Sequence, residues 1–170
     1  DRQAALTSIT EAVDHYRALT QANPAAHLHN LAMSLNNLAN RQSETGDRQA
    51  ALTSITEAVQ IHRTLTQANP AAHLPELAGS LNNLANRQSE TGDRQAALTS
   101  ITEAVDHYRA LTQANPAAHL HNLAMSLNNL ANRQSETGDR QAALTSITEA
   151  VDHYRALTQA NPAAHLHNLA

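Results

Sequence analysis

Asp1, Asp47, Asp93 and Asp139 each open the same words, Asp-Arg-Gln-Ala-Ala-Leu-Thr-Ser-Ile-Thr-Glu-Ala-Val, so the chain repeats with a period of 46 residues. Nothing else in the sequence restricts the fold as strongly. Near-identical units meet through near-identical interfaces, which produces an array with a constant step from unit to unit. Residues 1–46 and 93–138 are identical, and 139–170 follows them until the sequence stops inside a unit. The second unit, 47–92, departs at seven places: Gln60, Ile61, His62, Thr64, Pro75, Glu76 and Gly79 stand where the first has Asp14, His15, Tyr16, Ala18, His29, Asn30 and Met33. The expected organisation is one repeat array over 1–170, with units 1–46, 47–92, 93–138 and a partial 139–170, forming a segment of a longer array.

Each unit reads as two helices. Leu28, Leu31, Ala32, Leu35, Leu38 and Ala39 fall at helical spacing, predicting a first helix from about Leu28 to Thr45. Gly46 follows as a left-handed stop, and Asp47 offers an N-cap oxygen to the next helix. That second helix carries Ala51, Leu52, Ile55, Ala58, Val59 and Leu65 on one stripe and ends before Asn69-Pro70. Pro75 argues against a helix interior at that point, since proline there costs about 3 kcal/mol. The next first helix is therefore expected to begin at Leu74 or Pro75, with Asn69 to His73 in a loop. Where His29, His121 and His167 replace the proline, a slightly earlier start is expected.

Composition narrows the function classes. There is no Cys, Trp, Phe or Lys, and Ala and Leu carry most of the apolar content, which suits closely packed helices. The net charge is only −4, with Arg interspersed among Asp and Glu. That pattern offers no basic face for nucleic acid and no polybasic membrane surface. No apolar run reaches transmembrane length, and no signal peptide opens the chain, so a cytoplasmic location is favoured. Eleven histidines are the surplus, and protonating all of them would take the formal charge to +7.

Residues Ser34 to Val59 resemble a tetratricopeptide repeat. Leu35, Leu38, Ala39, Gly46, Ala51, Ile55 and Ala58 fall where that family places its large, large, small, Gly, Ala, large and Ala residues. The units exceed the family's usual length, as in its kinesin-light-chain-like and bacterial regulatory forms. Leu35 and Gln42 stand where the family usually has Trp and Tyr. The resemblance implies an all-α, right-handed superhelical solenoid of antiparallel helix pairs, with first helices lining the concave face. Groove positions then fall on Met33, Asn36, Asn37, Asn40, Ser43 and Glu44, and on Asn82, Asn83, Asn86, Asn128, Asn129 and Asn132 in later units. The clamp that some relatives form around a peptide's terminal carboxylate needs Lys or Arg at these positions, and none is present.

The residues themselves agree on display. Asn36, Asn40 and Ser43 recur three or four residues apart, off the Leu35-Leu38-Ala39 stripe. Amides both donate and accept, so a row of them can hold an extended peptide's backbone; Asn37 could equally set register between units. The histidine pairs, such as His27-Leu28-His29, point to different sides of a helix, and metal ligation is not expected. The two clusters of second-unit departures flank one interhelical connection and are expected to be spatial neighbours or neutral surface changes. They suggest possible chain-to-chain contacts at His15, Tyr16, His29, Met33, His107, Tyr108, His121 and Met125. Glu57 and its counterparts read as solvated charges. No nucleophile elbow, phosphate loop or HExxH is present.

The expected function is a non-catalytic scaffold binding a protein or peptide, without cofactor, nucleic acid or membrane. The alternative is a homo-oligomer or end-to-end filament of stacked repeats.

Overall fold

A computed structural model describes residues 2–160, and across them the chain is a run of helices: α1 (Arg2–Ala22), α2 (Pro24–Glu44), α3 (Arg48–Ala68), α4 (Pro70–Glu90), α5 (Arg94–Ala114), α6 (Pro116–Glu136) and α7 (Arg140–Ala160). His165, His167 and the rest of 161–170 lie outside the described residues, as does Asp1. Each helix packs against the next in sequence, and α4 also touches α2 and α6. The odd-numbered helices make no such contact among themselves. The array is thus narrower on the side of α2, α4 and α6, which is its concave face, as expected for an all-α solenoid of antiparallel pairs.

Two kinds of connection alternate. From α2 to α3 the chain closes a Schellman turn: Gly46 donates its N–H to the Ser43 carbonyl at 3.0 Å and Asp47 donates to Gln42 at 2.9 Å. Gly46 has φ +90°, a conformation in which an L side chain is strained. Asp47 Oδ1 then accepts from Ala50 N–H at 3.1 Å, capping α3. The return from α3 to α4 is a single residue. Asn69, held extended by the proline after it, ends α3 and caps α4, its side chain accepting from Ala72 N–H at 3.3 Å.

The first helices therefore start at Pro24, Pro70 and Pro116, four or five residues before the expected point, and the loop over Asn69–His73 does not exist. Proline at the first helical position gives up an N–H that has no intrahelical partner anyway, and its fixed φ suits the helix. Pro75 lies inside α4. The carbonyl it leaves without a donor belongs to Ala71, which is exposed and can be hydrated.

The core is built from the predicted stripe. Leu35, Ala39, Ile55, Ala58, Leu81, Ile101 and Leu127 are all buried. Fully buried alanines at positions 32, 58, 78, 104 and 124 let helix backbones approach closely, so a core of Ala and Leu needs no aromatic filling. Gln42, at the family's tyrosine position, reaches into the following helix, where its Oε1 accepts from the Ser54 hydroxyl at 2.8 Å. Among the described residues, no helix is long and apolar enough to cross a membrane.

Candidate functional site

The asparagines of the concave face are partly used by the array itself. Asn83 Nδ2 donates to Asn36 Oδ1 at 3.0 Å, and Asn129 Nδ2 donates to Asn82 Oδ1 at 3.0 Å. The first asparagine of one repeat is thus tied to the second asparagine of the next. The register role considered for Asn37 is taken in these pairs by Asn83 and Asn129, its counterparts, with Asn36 and Asn82 as their partners. Asn37 itself is exposed, while Asn36, Asn83, Asn128 and Asn129 are half-buried and Asn82 is buried. Each pair uses one carbonyl and one amide, leaving the other two polar ends without a hydrogen bond among the described residues. Asn40, Asn86 and Asn132 make no side-chain hydrogen bond among the described residues, and they stay on the concave side, half-buried or exposed.

A second tie lies nearer the C-terminal ends of the same helices. The Ser43 hydroxyl donates to Glu90 at 2.9 Å, and Ser89 does the same to Glu136. Those carboxylates also meet Arg87 and Arg133 one turn earlier. Glu44 is exposed and paired with Arg41 at 2.6 Å. On the convex side Arg17 reaches Glu57 at 2.6 Å, Arg63 reaches Glu103 at 2.6 Å, and Arg109 reaches Glu149 at 2.8 Å. Glu57, Glu103 and Glu149 are consequently not simply solvated charges: each bridges to the preceding repeat. Sequence reading missed these bridges because the partners stand 40 residues apart.

Three of the seven second-unit departures come together. A cavity of about 230 Å³ opens between α2 and α4, floored by α3, and is lined by Met33, Asn36, Asn37, His62, Glu76, Gly79, Ser80 and Asn83. His62 is 2% exposed, and its Nδ1 lies 2.9 Å from the Ser80 hydroxyl. Its Nε2 is buried without a hydrogen-bond partner. Burial first, then the neighbouring His29, hold its pKa down at about 4, with His73 adding slightly and Glu76 opposing. The ring centroids of His29 lie 6.3 Å from His62 and 5.5 Å from His73. Glu76 Oε2 is also buried and unpaired. Even so, no group of three or more His, Cys, Asp or Glu among the described residues is arranged to hold a metal ion.

The remaining positions singled out as chain contacts fall in several environments. Tyr108 is 5% exposed and packs within the chain, its hydroxyl 3.4 Å from where a Cβ on Gly79 would sit. Burial and the Glu76 carboxylate push its phenol up to about 12. His121 stacks edge-on against Tyr154 at 6.0 Å, and His107 approaches Glu103 on its own helix at 3.6 Å. His15 is exposed and Tyr16 half-buried on α1, while Met33 and Met125 are exposed on the concave face.

A curved stack of helix hairpins, tied repeat to repeat on both faces and open along its concave side, defines a helical-repeat solenoid. The sequence profile for the tetratricopeptide repeat matches residues 31–70, and that for anaphase-promoting complex subunit 5 matches 64–113 and 92–161. The chain belongs to the tetratricopeptide repeat proteins. Repeats of this family mediate protein–protein interactions and are generally non-catalytic. Among solved structures, BtubC (BKLC) from P. vanneervenii superposes with a TM-score of 0.67 at 19% identity, over 92% of this chain and 58% of BtubC. This chain therefore spans a little over half of BtubC's length. MamA aligns with a TM-score of 0.36 at 13% identity, over 94% of this chain and 96% of MamA. No curated protein matches the sequence.

Proposed function

We propose that this chain is a non-catalytic interaction scaffold whose concave face holds an extended peptide or a partner's helix. The observation that carries the reading is the division of labour among the asparagines. At each of the two described junctions one asparagine from either repeat is joined to the other, and the third asparagine, at 40, 86 and 132, makes no side-chain hydrogen bond among the described residues. Free amides at a constant interval can pair with successive peptide groups of an extended chain, which itself alternates donors and acceptors. The test is a random-peptide display selection on the immobilised chain, repeated with the combined variant Asn40→Ala, Asn86→Ala and Asn132→Ala. Selected peptides are expected to lose binding to the variant while its circular dichroism is unchanged. Undiminished binding would refute the groove.

A second reading, end-to-end stacking of copies into a filament, draws on the near-identity of the ties at successive junctions. Such ties can repeat across a boundary between molecules as readily as within one, and a heterologous contact that does not close builds a fibre. Light scattering against concentration separates the two. A particle that stays monomeric at the highest concentrations removes the filament and leaves the groove.

A further inference from the structure

We propose that the cavity between α2, α3 and α4 is a specificity socket for an arginine side chain of the bound peptide. The proposal deepens the groove reading above and rests on it. Three of the seven departures of the second repeat, His62, Glu76 and Gly79, line this one cavity. At the next junction the corresponding residues are Tyr108, Asn122 and Met125. Tyrosine to histidine and methionine to glycine both remove volume, and asparagine to glutamate adds a negative charge. The changes act together: two enlarge the space and one gives it a sign.

No arginine among the described residues neutralises that charge. No arginine lines the cavity. The nearby guanidinium groups on α3 and α4 are engaged elsewhere, Arg63 with Glu103 and Arg87 with Glu90. Glu76 Oε2 is buried with no hydrogen-bond donor, and a cationic donor entering the cavity would supply one. His62 adds a second vacancy. In the tautomer whose Nδ1–H donates to Ser80, its Nε2 is a lone pair facing no donor. Asn83 donates through Nδ2 only, so its carbonyl oxygen remains an acceptor at the rim.

Carboxylate, imidazole nitrogen and amide oxygen form a set of acceptors, and a guanidinium presents five N–H donors in a flat fork suited to such a set. Met33, 46% exposed, supplies an apolar wall for the aliphatic stem. A cavity of about 230 Å³ accommodates that headgroup and part of its stem.

The test uses alanine- and serine-based peptides of about twelve residues, with one central position occupied by arginine or by citrulline, its uncharged isostere. Affinities are measured by fluorescence anisotropy at neutral pH with EDTA present throughout. The arginine peptide is expected to bind tighter than the citrulline peptide by roughly tenfold or more, as a charge-assisted pair provides. Glu76→Asn and His62→Tyr each install the residue that the sister repeats carry, so both variants are expected to fold. Each should reduce the arginine preference to less than about threefold without changing citrulline-peptide affinity. Equal binding of the two peptides, or a preference that survives Glu76→Asn, overturns the socket while leaving the groove standing. If neither peptide binds at all, the groove reading fails and the socket fails with it.

Discussion

Replacing His62 with tyrosine should make the protein resist mild acid. In the folded chain this imidazole is buried between α2 and α4, with His29 and His73 nearby and Glu76 only partly offsetting them, so its pKa falls from 6.5 to about 4. When the chain unfolds the ring returns to water and protonates near 6.5. The unfolded state therefore binds more protons between pH 6.5 and 4. Stability associated with neutral His62 is complete above pH 6.5 and is lost as pH falls toward 4. A shift of that size amounts to roughly 3 kcal/mol at the acid end, at about 1.4 kcal/mol per pH unit. By pH 5.5 on the order of 1 kcal/mol should already be gone. The assay is urea unfolding of wild type and His62→Tyr at pH 7.5, 6.5, 5.5 and 4.5. Groups common to both proteins cancel in the difference, which should widen by about these amounts as pH falls. Parallel pH profiles for the two proteins would show that His62 is not held neutral, and the reasoning about its burial would fail.

Two further outcomes test the architecture. Leu81→Ala, at a position 1% exposed in the middle of the array, should destabilise by about 2–5 kcal/mol, whereas Leu144→Ala, 60% exposed on α7, should change unfolding by less than about 0.5 kcal/mol. Equal effects would contradict the assignment of the core. A double-mutant cycle on Asn36 and Asn83 should give a coupling of about 0.5–1.5 kcal/mol that is insensitive to salt. The cycle on the half-exposed Arg63 and Glu103 should give less than about 1 kcal/mol and fade in high salt. A salt-sensitive inner pair, or a salt-independent outer one, would refute the assignment of the two ties.

What the sequence made legible was whatever acts within one repeat. The Leu35-Leu38-Ala39 stripe is buried as its spacing requires, Gly46 takes the left-handed stop, and Asp47 caps α3. Pro75 misled because a local rule was applied without its surroundings. The first turn of α4 is already secured by Asn69 and Pro70, and the carbonyl that Pro75 deprives is exposed. The site residues were legible only as candidates. That His62, Glu76 and Gly79 share one cavity depends on how far α4 is rotated against α2, a quantity fixed by packing between repeats. The ties between repeats did leave a trace, since Asn36 and Asn83 stand 47 residues apart, one period plus one position. Short amides at that offset are a signature of adjacent helices in register, and it was available in the sequence.

The reach of the bridging side chains on the two faces explains why the array curves as it does. On the concave side two asparagines, among the shortest polar side chains, suffice to join α2 to α4 and α4 to α6. On the convex side the same junctions are spanned by arginine and glutamate, whose extended lengths match odd-numbered helices that do not otherwise touch. Short ties inside and long ties outside hold one angle between successive repeats, and repetition of that angle keeps the concave face open. The Asn36–Asn83 pair thus helps to set the angle of the concave face, and the amides at 40, 86 and 132 make no side-chain hydrogen bond among the described residues. Three of the second repeat's seven changes, His62, Glu76 and Gly79, fall at one cavity within that frame.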